Sequence, residues 1–81
     1  MVKVSLSSDA RGFTGGLAEV EVEASSVRQL IAALDLRFAG LGDYVQRRMA
    51  IAIDGEIHQD AFTEPLSDKA EVFLLPKIGG G

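Results

Sequence analysis

The sequence contains no cysteine and only one histidine among its 81 residues. The absence of cysteine excludes disulfide bonds, thiolate metal sites and a cysteine nucleophile. It also means that no side chain can carry sulfur as a persulfide. The single histidine, His58, has no second histidine or cysteine with which to form a metal site or a catalytic pair. We therefore interpret His58 as a surface residue.

Long apolar runs and an excess of positive charge are also absent. No segment approaches the roughly 20 apolar residues of a membrane helix, and the N-terminal MVKVSLSSD lacks the pattern of a signal peptide. We therefore expect a cytoplasmic chain with no membrane partner. The net charge of −4 argues against nucleic acid, which selects clustered Lys and Arg, but is compatible with a basic protein partner.

The residues that are present are typical of one small globular domain, with 47% hydrophobic and 25% charged residues. Apolar and polar residues alternate with a period of two, which predicts strands over residues 2–6, 18–22, 49–53, 56–58 and 72–75. The turn-forming residues 8–16 predict a hairpin loop. The acidic row Glu19, Glu21 and Glu23 can be interpreted as a metal or basic-partner site, or more simply as the solvated face of a sheet.

One segment changes to helical spacing. Ser26 and Gln29 form a capping box that predicts a helix start, and Gly40 or Gly42 can end that helix. The apolar stripe that predicts a core-facing helix over residues 26–38 consists of Val27, Leu30, Ile31, Leu34 and Phe38.

The remaining connections have weaker signals. We predict a loop or short turn over residues 43–48, with Arg47 and Arg48 facing solvent. Asp54 and Gly55 predict a tight hairpin turn. Residues 60–69 form a polar connection, which we expect Leu66 to anchor to the core.

The order strand, strand, helix, strand, short strand, strand predicts an α+β fold with one helix on a mixed sheet. If the last strand lies beside the first, the two run parallel, and we expect the C-terminus at the sheet's edge and free to project. This is the β-grasp, or ubiquitin-like, arrangement. The predicted organisation is a domain over residues 1–75 and a flexible tail over residues 76–81.

The tail ends in Gly79, Gly80 and Gly81. Glycine has no Cβ, so this segment cannot pack or hold one conformation without a partner. It is thin enough to be threaded into another protein's active site, with its α-carboxylate at the tip. The alternative is a frayed terminus or a leftover linker.

The last predicted strand has two faces. If Val72 and Leu74 face the helix, Phe73 and Leu75 are exposed beside the tail. An exposed pair of large apolar residues predicts a partner-docking patch. The alternative is that a loop covers the pair.

Four segments of the chain carry a more specific resemblance: VKVSLS, SSVRQLIAAL, AIAIDGEI and LSDKAEVFLLPKIGGG. Through them nearly the whole chain resembles the ThiS/MoaD family of ubiquitin-like sulfur carrier proteins. The residues that fit the family's final frame without a gap are Leu66, Asp68, Glu71, Val72, Pro76, Gly80 and Gly81.

Some positions depart from the family pattern. Lys69 and Ala70 replace the usual Gly-Asp turn, and Asp54 stands where asparagine is common. Lys77 and Gly79 replace a proline and an alanine typical of the molybdopterin synthase small subunit. The tail is closer to ThiS, but the chain length is closer to MoaD, so the pathway stays open. The sulfur acceptor can be molybdopterin, the thiazole of thiamin, cysteine or another metabolite.

The resemblance implies that a ubiquitin-activating-type adenylyltransferase, MoeB/ThiF-like, uses ATP and magnesium to adenylate the Gly81 carboxylate. A sulfur donor then replaces AMP, and the resulting thiocarboxylate gives its sulfur to an accepting synthase subunit or enzyme. The chain is then a protein substrate, or a non-catalytic synthase subunit, with no metal and no stably bound cofactor. The partner-binding residues implied are Phe73, Leu75, Pro76, Lys77 and Ile78, followed by the tail glycines Gly79 and Gly80.

Other functions remain open. A ubiquitin-like modifier joined to lysines through Gly81 uses the same activation, and the sequence does not separate it from a sulfur carrier. A binding module with an inert tail is a third hypothesis. An autonomous enzyme is disfavoured, because the sequence shows no convergent set of polar residues.

Overall fold

The computed structural model describes residues 1–58 and 63–77. Predictions for residues 59–62 and 78–81 lie outside the described residues. In chain order, the elements are β1 (Val2–Leu6), a 3₁₀ helix (Ser8–Phe13), β2 (Glu19–Val22), α1 (Val27–Arg37), α2 (Leu41–Arg48), β3 (Met49–Ile53), β4 (Glu56–His58) and β5 (Glu71–Pro76). Among the helices of these residues, none is long and apolar enough to span a bilayer.

The described strands form one mixed sheet in the order β2-β1-β5-β3-β4. The first and last strands, β1 and β5, are parallel neighbours, while the other pairs are antiparallel. This confirms the predicted β-grasp arrangement. The expectation that the chain leaves from the sheet's edge is wrong, because β5 is the middle strand, with β1 on one side and β3 on the other.

The core lies between one face of this sheet and the helices. Alternate strand residues and the stripe of α1 supply it, as the two periodicities predict. Its members with no exposed surface include Val2, Val4, Val27, Leu30, Leu34, Leu41, Val45, Val72 and Leu74.

Helix α1 begins where the sequence predicts. The Ser26 side chain accepts a hydrogen bond from the Gln29 backbone N–H at 3.2 Å, and Gln29 Oε1 accepts from the Ser25 N–H at 2.9 Å. These bonds confirm the predicted helix start. In the predicted capping box the Gln29 side chain would accept from the Ser26 N–H, whereas here it accepts from the Ser25 N–H. The helix ends at Arg37, before either glycine, and Phe38 is its half-buried C-cap.

The predicted loop over residues 43–48 is wrong, because these residues belong to α2. This helix is short, and its buried residues are only Leu41, Gly42 and Val45. It therefore has too few apolar positions for helical spacing to be recognised in the sequence. Gly42 packs closely against α1, where an added Cβ would lie 2.7 Å from the Asp35 Cβ. Its backbone N–H also donates to Asp35 Oδ1 at 3.0 Å. Arg47 and Arg48 are exposed, as predicted.

The connection between β1 and β2 contains the 3₁₀ helix, which the turn-rich sequence did not reveal. Its Ala10 is buried in the core. The carboxylates that follow, Glu19, Glu21 and Glu23, are exposed. Glu19 lies 3.7 Å from the Lys3 ammonium. The acidic row is therefore a solvated face.

The hairpin between β3 and β4 is confirmed, with Asp54 and Gly55 at positive φ values of 49° and 90°. Such a pair is typical of the tight turn that joins two twisted strands. Asp54 Oδ1 accepts a hydrogen bond from the Glu71 N–H at 3.0 Å, which ties the turn to the start of β5. Leu66 is buried and anchors its segment, as predicted.

Candidate functional site

The predicted tail starts where β5 ends, and we call this point, at Pro76 and Lys77, the root of the tail. Hydrogen bonds hold the end of the strand on both sides. The Ser7 N–H donates to the Leu74 carbonyl at 3.2 Å, and the Lys77 N–H donates to the Arg48 carbonyl at 3.1 Å. Strand β5 includes Pro76, one residue beyond the predicted strand. The division of the chain at residue 75 stays a prediction. Ile78, Gly79, Gly80 and Gly81 lie outside the described residues.

The two faces of β5 follow the predicted alternation. Val72 and Leu74 have no exposed surface, whereas Phe73 on the other face is 45% exposed. Leu75 lies on that face but is half-buried, so of the pair predicted to be exposed only Phe73 is exposed. Phe73 does not become a core residue, which keeps it accessible to a partner.

Neighbouring strands extend this exposed face into a patch that sequence reasoning missed. Phe73 is paired with Ala52 of β3, and Ala52 is paired with Ile57 of β4. Paired residues on adjacent strands project from the same face of a sheet. Ile57 is 61% exposed, and Leu75 is paired with Ala50 in the next row. Ala52 lies between Phe73 and Ile57 and is only 6% exposed. We call Phe73, Leu75, Ala50, Ala52 and Ile57 the open-face patch.

The periphery of the open-face patch is polar. Ser5 of β1 is paired with Phe73, and Lys3 is paired with Glu71, on the same face. Arg48 and Lys77 are exposed where β5 ends. An apolar centre with a polar rim is the usual composition of a protein–protein interface. The face is therefore suited to bind another protein.

The described residues offer little for catalysis. Within residues 1–58 and 63–77, no three acidic or histidine side chains lie close enough to hold a metal ion. His58 is half-buried rather than fully surface-exposed, with its Nδ1 3.5 Å from Glu64 Oε1. An open cleft of 320 Å³ lies between α1 and α2, and its lining residues include Arg28 and Asp35. Neither feature includes a residue of β5 or the open-face patch.

Comparison with known proteins identifies the family to which the chain belongs. The model of the ThiS family matches residues 4–81, which is nearly the whole chain. The chain belongs to the ThiS family. No curated protein matches its sequence. The match includes both the described strand β5 and the terminal glycines.

Solved structures match the fold over almost the full length. CysO in the BexX/CysO complex from Amycolatopsis orientalis has a TM-score of 0.87 and 24% identity, covering 100% of both chains. Small archaeal modifier protein 1 (SAMP1) from Methanosarcina acetivorans has a TM-score of 0.80 and 24% identity, covering 99% of this chain and 95% of that one.

A third match comes from the complex of subunits 1 and 2 of the molybdopterin-converting factor from Helicobacter pylori. Its TM-score is 0.67 at 24% identity, covering 99% of this chain and 97% of that chain. At this level of identity, the three structures establish the β-grasp fold and nothing finer.

Proposed function

We propose that the chain is a sulfur carrier in which a partner enzyme adenylates the C-terminal Gly81 and a sulfur donor converts it to a thiocarboxylate. The observation that carries this proposal is the ThiS family match, which runs through the terminal glycines. The carrier is a protein substrate, and the chemistry belongs to its partners.

The geometry of β5 supports this role. The strand lies in the middle of the sheet, and hydrogen bonds hold its end as far as Lys77. Four further residues can span at most roughly 13–14 Å when extended. A partner bound to the open-face patch can therefore receive the terminal carboxylate within that distance. Binding beside a fixed root also raises the effective concentration of the carboxylate at the partner's active site.

The chemistry requires an activated carboxylate. An oxygen of the Gly81 carboxylate attacks the α-phosphorus of ATP and displaces pyrophosphate, which leaves an acyl-adenylate. Hydrosulfide then attacks the acyl carbon, AMP leaves with the bonding electrons, and one proton is released to solvent. The product is a thiocarboxylate, whose sulfur is a stronger nucleophile than the original carboxylate oxygen. Magnesium bound with ATP in the partner neutralises phosphate charge in the first step.

A second function shares the first step. The similarity to SAMP1, whose name describes a modifier protein, favours conjugation of Gly81 to a lysine as the alternative. The acyl-adenylate is then transferred to an amine rather than to sulfur. In either case we place the activating partner on the open-face patch. The structures that contain CysO and the molybdopterin-converting factor subunits are complexes of two proteins, which supports a protein partner in general.

An ATP–pyrophosphate exchange assay tests the shared step. Purified MoeB/ThiF-like adenylyltransferases from the same source are each mixed with the wild-type chain, ATP and magnesium. We expect one of them to catalyse exchange only when the chain is present. The control is the chain with Gly81 converted to its amide, which keeps every side chain but removes the carboxylate. Exchange that is equally fast with the amide would contradict the proposal.

A further inference from the structure

The last described residue, Lys77, contacts the end of helix α2 twice. Its backbone N–H donates to the Arg48 carbonyl at 3.1 Å, and its Nζ donates to the Gln46 carbonyl at 3.3 Å. Carbonyl groups at a helix C-terminus carry partial negative charge, so a lysine ammonium is stabilised there. These contacts place a cation at the root of the tail.

Arg48 adds a second cation at this point. Both Arg48 and Lys77 are exposed. Of the ion pairs among residues 1–58 and 63–77, Arg47 forms one with Asp43 at 3.1 Å, but none involves Arg48 or Lys77. We call Arg48 and Lys77 the cationic collar. Their charges are available to a partner without breaking an existing ion pair.

The other end of the same strands carries charges of both signs. Its exposed carboxylates are Asp54 and Glu56 at the β3–β4 turn and Glu71 at the start of β5, and its exposed lysines are Lys3, paired with Glu71, and Lys69. Six residues of extended chain separate Glu71 from Lys77, or roughly 20 Å. This exceeds the Debye length of about 8 Å at physiological ionic strength, so a partner senses the two ends separately. The positive collar therefore stands out on a chain whose net charge is −4.

We propose that the cationic collar docks against carboxylates at the mouth of the channel through which the activating partner receives the tail. The inference rests on the proposed function, because it requires a partner that admits the tail. The glycines have no side chains to recognise, and Lys77 is the charged side chain nearest to them in the sequence. An acidic mouth attracts the collar, whose two charges are both positive, more strongly than it attracts the opposite end, where carboxylates and lysines offset one another, and this disfavours docking in the reverse orientation.

Charge reversal with a matched control tests the collar. The test variants are Arg48→Glu and Lys77→Glu, and the control is Lys69→Glu. Lys69 is an exposed lysine in the turn before β5, at the opposite end of that strand, so its reversal changes the net charge by the same amount. KM and kcat for ATP–pyrophosphate exchange are measured at low and high salt, with the adenylyltransferase that the wild-type chain activates.

We expect each collar variant to raise KM about tenfold at low salt, with kcat within about twofold of wild type, because charge steers association. The difference should shrink at high salt because salt screens exposed charges. Lys69→Glu should change KM by less than about twofold, since its charge lies more than a Debye length from the collar.

Arg48→Glu is the decisive variant, because Arg48 contacts Lys77 through its backbone carbonyl, which the substitution retains. Thermal unfolding of each variant shows whether the fold is intact. Equal KM values for Arg48→Glu and Lys69→Glu, or an effect that salt does not reduce, would overturn the collar inference but leave the proposed function standing. Failure of the wild-type chain to support exchange with any adenylyltransferase would overturn both.

Discussion

Val4 of β1 and Val72 of β5 are paired in parallel register, and neither residue has any exposed surface. The first and last strands of the chain therefore meet in the middle of the sheet, over the core. Because β5 carries the tail, the position of the tail's root depends on the best-buried part of the molecule. A partner that binds the open-face patch consequently meets a tail with a fixed origin.

The stripe of α1 provides the first prediction. Leu34→Ala should lower the free energy of unfolding by about 2–5 kcal/mol, because Leu34 has no exposed surface and its loss leaves a cavity. The matched control is Leu36→Ala in the same helix, where the leucine is 90% exposed and the expected change is below about 0.5 kcal/mol. Urea denaturation measures both. Equal losses would show that the core face of α1 is wrongly assigned.

Helix α2 provides the second prediction. Gly42→Ala should destabilise the protein by about 1–3 kcal/mol through overpacking, since its Cβ would lie 2.7 Å from the Asp35 Cβ and 3.0 Å from the Ile31 carbonyl oxygen. Gly12→Ala is the control, because no atom lies within 4 Å of its added Cβ. There we expect a neutral or slightly stabilising change of up to about 1 kcal/mol. The melting temperatures of the two variants should diverge. Matching values would mean that α2 does not pack so closely on α1.

The open-face patch provides the third prediction. Phe73→Ala should weaken binding to the activating adenylyltransferase by about 2 kcal/mol, or roughly thirtyfold in Kd, as for an aromatic anchor at an interface centre. Stability should fall by only about 0.2–1 kcal/mol, the range for a cross-strand pair. Isothermal titration calorimetry gives the affinity.

Leu17→Ala is the matched control for Phe73→Ala, because Leu17 is 48% exposed but lies outside the open-face patch. Its Kd should equal that of wild type. If both substitutions weaken binding equally, or neither does, the partner docks elsewhere.

Local patterns in the sequence are sufficient for much of this fold. Alternation of apolar residues places the strands, Ser26 marks the start of α1, and the Asp54-Gly55 dipeptide marks the tight hairpin. Helix α2 could not be predicted, because its fully buried apolar side chains are only Leu41 and Val45, and two glycines, Gly40 and Gly42, lie at its start. Two positions are too few to distinguish a helical turn from a loop.

Long-range pairing explains the other differences. No local feature shows that β3 pairs with β5, so the central position of β5 could not be predicted. For the same reason Ile57 could not be assigned to the site, because its place on the same face as Phe73 depends on the register through Ala52, which lies between them. Phe73 was identified because its face follows from alternation within one strand. The cofactors, the cytoplasmic location and the roles of the tail residues stay predictions.

The tail provides the fourth prediction. Gly80→Val should block activation without changing stability, since a β-branched side chain restricts the backbone and is too wide for a channel that admits glycine. Deletion of Gly81 should also abolish activation, because the carboxylate then falls about 3.3–3.6 Å short of the ATP phosphate. The ATP–pyrophosphate exchange assay measures both variants, and thermal unfolding verifies their folds. Normal exchange by Gly80→Val would show that the partner tolerates a side chain at that position. Normal exchange by the shortened chain would show that activation does not require Gly81.

The most direct measurement is the intact mass of the chain after incubation with ATP, magnesium, the activating adenylyltransferase and a hydrosulfide source. The sulfur-carrier proposal predicts that one oxygen is exchanged for sulfur, and that fragmentation locates the exchange at Gly81. The amidated chain, treated identically, should keep its original mass. An unchanged mass for the wild-type chain under conditions where adenylation proceeds, or sulfur located at any other residue, would contradict the proposal.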